Sequence, residues 1–140
     1  MVQVIDMYKK IRIESKVASI GIVEKAIDDA TSELGISSES YGKILVSALE
    51  GVNNAILHGN KSDPGKMVDI EIIYRRKEFK IKITDEGKGF SPSDLPDPTT
   101  AENIEELNGR GVFLMSKLAD ELNYSKKGNS VTMVFKNLLF

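Results

Sequence analysis

Two runs of alternating residues limit most sharply what this chain can fold into. Val68, Ile70 and Ile72 alternate with polar residues, and so do Phe79, Ile81 and Ile83. A period of two sends successive side chains to opposite faces of a strand. Arg75-Arg76-Lys77 lies between the runs, so the segment predicts an antiparallel hairpin with one apolar face. Such a face has to be buried against a second layer.

Two helical patterns offer that layer. Ile20, Val23, Ile27, Ala30 and Leu34 recur at helical spacing, with Ser15 as the expected cap and Gly35 as the stop. Ser37 and Ser38 are expected to cap a second helix, whose stripe is Ile44, Leu45, Ala48, Val52, Ala55 and Ile56. Val2 to Glu14 reads as one or two strands, and Gly59 to Gly65 as a loop. Gly109-Arg110-Gly111 opens a third helix, Val112 to Ala119. Leu122 and Tyr124, then Val131, Met133 and Phe135, form a last hairpin about Lys127-Gly128-Asn129. The expected fold is α+β: a two-layer sandwich with an antiparallel-rich mixed sheet and helices on one face. At 140 residues, a single domain over 1–140 is expected.

The bulk numbers exclude several function classes. The formal net charge is −2, without the basic excess of a nucleic-acid surface. There is no cysteine and a single histidine, so thiol chemistry and a His-rich metal site drop out. No apolar run approaches the roughly 20 residues of a membrane span, and the N-terminus lacks signal-peptide order. The expectation is a cytoplasmic protein with neither nucleic-acid nor membrane partners.

Three patterns carry chemistry. Glu50 and Asn54 lie one helical turn apart, expected on the side opposite the apolar stripe. Asp85-x-Gly87-x-Gly89 sits at the carboxyl end of a strand. An aspartate there can accept a hydrogen bond from an amino group such as that of adenine, and glycines leave room for a ring. Gly109-x-Gly111 at a helix N-terminus suits an anion, with Arg110 adding charge. Each pattern alone also has an ordinary reading: a solvated helix face, a glycine-rich turn, a loop-to-helix junction. Neither glycine loop is a P-loop or a dinucleotide turn. Between them, residues 91–108 hold three of the four prolines, and a connection of that length is expected to be a lid, at about 91–110. Together the parts suit phosphoryl transfer: Asn54 as an oxygen ligand to Mg²⁺ and Glu50 as the base. His58 reads as a helix-end or pocket-rim residue.

These segments resemble a known superfamily. Glu50-x-x-x-Asn54-Ala55-x-x-His58-Gly59, Asp85-x-Gly87-x-Gly89-Phe90 and Gly109-Arg110-Gly111-Val112-Phe-Leu-Met115 are similar to the nucleotide boxes of the GHKL ATPases. Pro96-Asp97-Pro98-Thr99, Glu102-Asn103 and Gly128 to Met133 are similar to the anti-sigma factor serine/threonine kinase branch. The resemblance implies a Bergerat-type (histidine kinase-like ATPase) fold, ATP with Mg²⁺, and homodimerisation. It implies phosphorylation of a small STAS-domain anti-sigma factor antagonist and binding of a sigma factor or other target. Position by position, it implies that Glu50 is the base and Asn54 the Mg²⁺ ligand. Asp85 reads adenine in a pocket shaped by Gly87 and Gly89. Gly109, Arg110, Gly111 and Val112 bind nucleotide at the lid hinge, and Ser130 supplies a hydroxyl near adenine. One rival is a nucleotide-gated binding module that moves no phosphate. Another is a methyltransferase that uses the Asp-x-Gly-x-Gly loop.

Overall fold

The computed structural model of the chain describes residues 6–88 and 114–140. β1 (Met7–Glu14) leads through a 3-10 turn (Val17–Ser19) to α1 (Ile20–Leu34) and α2 (Ser38–Asn54), which runs on into a π-helical turn (Ala55–Gly59). β2 (Met67–Arg75) and β3 (Glu78–Thr84) follow. Residues 114–118 are helical, within the span expected for the third helix, and β4 (Glu121–Tyr124) and β5 (Ser130–Phe135) complete the order. Among the described residues the strands lie as β1-β2-β3-β5-β4 and each pairing is antiparallel, so the sheet is antiparallel and not the mixed one expected.

The central hairpin forms as the alternation predicts. Val68, Ile70, Ile72, Phe79 and Ile81 are fully buried on one face. The opposite face carries polar cross-strand pairs, among them Arg12 with Asp69 and Tyr8 with Glu71. Arg75 pairs with Glu78, so the turn is only Arg76 and Lys77, at φ 53° and 63°. A two-residue turn of this hand matches the twist of the strands, but it usually takes Asn-Gly, because both residues sit in left-handed backbone.

The helices bury the stripes read from their spacing. Val23, Ile27 and Ala30 of α1 are fully buried, as are Ile44, Ala48 and Val52 of α2. Each such Ile or Val side chain contributes roughly 1.5–3 kcal/mol by leaving water. Gly35, at φ 72°, ends α1, and the Ile36 N–H closes on Thr31 O at 2.9 Å. Ser37 caps α2 by accepting from Ser40 N–H, which leaves Ser38 as the first helical residue.

Two further expectations need correction. Ser15 does not cap a helix: it is 2% exposed, and its hydroxyl donates to Lys66 O at 2.6 Å. Glu14 pairs with Met67, so Ser15 meets the chain entering β2 before any helix starts. Nor do Glu50 and Asn54 lie opposite the buried face, since both are half-buried. The buried arc of α2 is wider than its large apolar residues indicate, because Ser47 and Gly51 belong to it. The Ser47 hydroxyl is satisfied within the helix by Lys43 O. Gly51 lets the sheet come close: a Cβ there would stand 2.7 Å from Ile83 Cδ1 and 3.2 Å from Met133 Cε. Among the described residues, no helix is long and apolar enough to cross a membrane.

Candidate functional site

The π turn brings the end of α2 to the sheet. The Asn60 N–H reaches back five residues to Ala55 O at 2.8 Å. Such one-turn widenings recur at functional places in helices. Here the turn sets Gly59 directly against Asp85, which leaves β3. A Cβ on Gly59 would overlap the Asp85 carboxylate. One on Gly87 would overlap Gly59 O and stand 2.8 Å from Asp85 Oδ1. Only glycine fits at either position without a shift, so Gly59, Asp85 and Gly87 form one close-packed unit.

Asp85 is held from several sides. Gly87 N–H donates to its Oδ1 at 2.7 Å. Its own N–H donates to Asn129 O at 2.9 Å, and its carbonyl accepts from Asn129 Nδ2 at 3.0 Å. Burial pushes its carboxyl above the usual aspartate range, against the Gly87 N–H and the Lys127 and Lys66 charges, which pull it down. A half-buried carboxylate in this setting is an acceptor that gains from meeting a donor.

A cavity of about 560 Å³ opens over this unit. One wall is the helix side of Gly51, Asn54, Ala55 and His58. The other is Ile83, Asp85 and Gly87 with Ser130 and Val131, and Met115 and Tyr124 close the apolar part. Burial raises the Tyr124 phenol to about 12, so it stays neutral. Lys61, Lys66 and Lys88 also border the space. The volume is that of a small-molecule site, with apolar walls and a few convergent polar groups.

The structure brings together Asn54, Asp85, Gly87 and Ser130 from the expected set, with His58 at the rim. Glu50, one turn before Asn54, is not in the cavity wall formed by the described residues. Gly89, Gly109, Arg110, Gly111, Val112 and the lid at about 91–110 lie outside the described residues. The sequence reading missed Tyr124, Asn129 and the cavity-facing lysines as site residues. Asn129 stood in a recognised turn, but nothing local linked that turn to Asp85.

The residues present fit a purine nucleotide. The cavity has apolar walls that suit a ring, and the half-buried Asp85 carboxylate beside them suits an exocyclic amine. Asn54 offers one oxygen donor. A Mg²⁺ ion that keeps waters and phosphates as its other ligands asks for little more. Among the described residues, no cluster of three or more acidic, His or Cys side chains forms a separate metal site.

Comparisons with known proteins agree with this fold. The model of the histidine kinase-like ATPase domain matches residues 13–135. An anti-sigma F factor of Anoxybacillus flavithermus is 35% identical over 106 residues, covering 74% of this chain and 72% of the relative. One of Clostridium perfringens is 28% identical over 135 residues, covering 93% and 96%. In fold, the chain is similar to a crystal structure of the RsbU and RsbW domains of a Mycobacterium tuberculosis protein, with TM-score 0.65 and 15% identity. That match covers 94% of this chain and 32% of the other. The chain therefore belongs to the histidine kinase-like ATPase domain family, the GHKL superfamily, on the branch of the anti-sigma factors.

Proposed function

We propose that this chain is an ATP-dependent protein serine/threonine kinase and an anti-sigma-type regulator. It binds a sigma factor or another regulatory target and phosphorylates a STAS-domain antagonist in a partner-switching circuit, as a cytoplasmic homodimer. The observation that carries the reading is the convergence of Asn54, Asp85, Gly87 and Ser130 on one cavity. The names of the curated relatives supply the target class.

In this reading Asp85 accepts a hydrogen bond from the adenine amino group, and Gly59 and Gly87 let the chain pack closely enough to hold that carboxylate in place. Ser130 lends a hydroxyl at the same end. Asn54 holds the metal through its amide oxygen. Gly89, Gly109, Arg110, Gly111 and Val112 serve the ring and phosphates, a role that rests on the sequence alone. Bound ATP would supply the terminal phosphoryl group and leave as ADP, and Mg²⁺ would neutralise the phosphate charge. Glu50 takes the proton from the acceptor hydroxyl, and its place outside the cavity wall suits a base that must meet a group on another protein.

The same placement also favours a second reading, in which nucleotide gates partner binding and no phosphate moves. Incubation with labelled ATP, Mg²⁺ and the cognate STAS antagonist separates the two. Label transfer that Glu50→Gln abolishes supports the kinase. ATP-sensitive partner capture without transfer supports the gated module. Transfer undiminished in Glu50→Gln removes the assigned base.

A further inference from the structure

Asn60 stands outside the cavity wall and is 1% exposed. Its amide is fully used. Nδ2 donates to Ser15 Oγ at 2.8 Å and to Met67 O at 3.0 Å, and Oδ1 accepts from Glu86 N–H at 2.8 Å. Ser15, itself buried, passes the chain on to Lys66 O. Asn60 thus ties the end of β1 and the start of β2 to the peptide that follows Asp85. On the other side, Asn129 grips the N–H and carbonyl of Asp85 itself. Between these two amides the main chain at Asp85 has little room to turn, and Gly87 N–H fixes one carboxylate oxygen.

We propose that Asn60 is a positioning residue for purine selection: it aims Asp85 at the amino group of the base without touching the nucleotide. The inference rests on the nucleotide reading above. The physical basis is that buried amide networks specify geometry only when every member is satisfied, as here. With the Asn60 amide gone, the part-buried Glu86 N–H and Met67 carbonyl lose a partner, and the loop carrying Asp85 relaxes toward other partners. A guanine base has an oxo group where adenine has its amine, so in the same pose it has no donor at the position to which the carboxylate is aimed. Misaiming Asp85 therefore weakens ATP while leaving GTP almost unchanged.

The test is calorimetric affinity for Mg²⁺·ATP and Mg²⁺·GTP, with thermal melts of the same samples. Variants are Asn60→Ala, the milder Ser15→Ala, and Thr31→Ala as a control that removes a buried hydroxyl of α1 bonded to Ile27 O. Asn60→Ala should bind ATP about tenfold more weakly, and its ATP-over-GTP preference should shrink by the same factor. Ser15→Ala should shift the preference in the same direction by about twofold to fourfold, and it decides the matter if Asn60→Ala does not fold. Thr31→Ala should lower the melting temperature and leave the preference alone. Folded variants of Asn60 or Ser15 that keep the wild-type preference overturn this inference alone. A wild-type protein that binds neither nucleotide, or does not prefer ATP, overturns the nucleotide reading and this inference with it.

Discussion

Gly59→Ala separates ligand reading from folding more cleanly than any other single change. The glycine lies in a helical turn, where alanine on its own favours the helix by about 1 kcal/mol. The added Cβ, however, overlaps the Asp85 carboxylate. The carboxylate has to swing aside and give up the 2.7 Å bond from Gly87 N–H. That bond is worth about 1 kcal/mol to the fold, so gain and loss nearly cancel. The melting temperature should stay within about 4 °C of wild type. Binding has no such compensation. A hydrogen bond from an amine to a carboxylate contributes about 1.5–3 kcal/mol, so affinity for ATP should fall about 10- to 150-fold. Titration calorimetry with Mg²⁺·ATP, paired with a thermal melt, reads both quantities. Inosine triphosphate, which lacks the amine, should already bind wild type weakly and lose little further in the variant. A Gly59→Ala protein that melts normally and binds ATP within twofold of wild type would refute the assignment of Asp85.

Replacing Arg76-Lys77 by Asn-Gly relieves two left-handed residues of the β2–β3 turn; chemical denaturation should show a gain of about 1 kcal/mol without loss of nucleotide affinity. Because burial raises the Asp85 carboxyl, the native state holds that proton to higher pH than the unfolded chain does. Stability should therefore fall as pH rises from the ordinary aspartate range through the raised value, and Asp85→Asn should remove that slope in melts against pH. ATP affinity should run the other way, weakening as pH falls through the same range. On the outer sheet face, the Arg12 guanidinium holds Asp69 below the ordinary carboxylate range. Its small contribution is present above the unfolded-state value and lost as pH falls through the lowered one. Arg12 is exposed and its charge is screened by water, so Arg12→Ala should lower stability only slightly in denaturant titrations, and less in high salt.

The parts of this fold that were legible in the sequence are those set by periodicity within one element. The period-two runs at 68–72 and 79–83 predict the β2–β3 hairpin because their burial is decided by the strand itself. The stripe of α1 and the stop at Gly35 are readable for the same reason. Ser37 was legible as a cap because an N-cap bond spans three residues. Ser15 was not, because its partners, Lys66 O and Asn60, are 51 and 45 residues away. Gly51 and Ser47 show a second limit. A helix wheel weighs large apolar side chains, whereas the width of a buried face also depends on where small residues let a neighbour approach.

The candidate site divides along the same line. Asn54 and Asp85 were legible as chemical groups at telling places, and the resemblance to known nucleotide boxes joined them. What holds the site together was hidden. The Asn60 amide reaches Glu86 across 26 residues, and the Asn129 amide reaches Asp85 across 44. In the sequence each is an asparagine in a loop or turn, where asparagine is common for local reasons. Gly59 was legible as part of a box but not as a contact, since a glycine announces only that a side chain is missing. Its meaning comes from Asp85, which arrives on a different element. Reading one residue of this site therefore requires the other two: a methyl group on Gly59 would strike the Asp85 carboxylate, and one on Gly87 would strike Gly59 O and the same carboxylate.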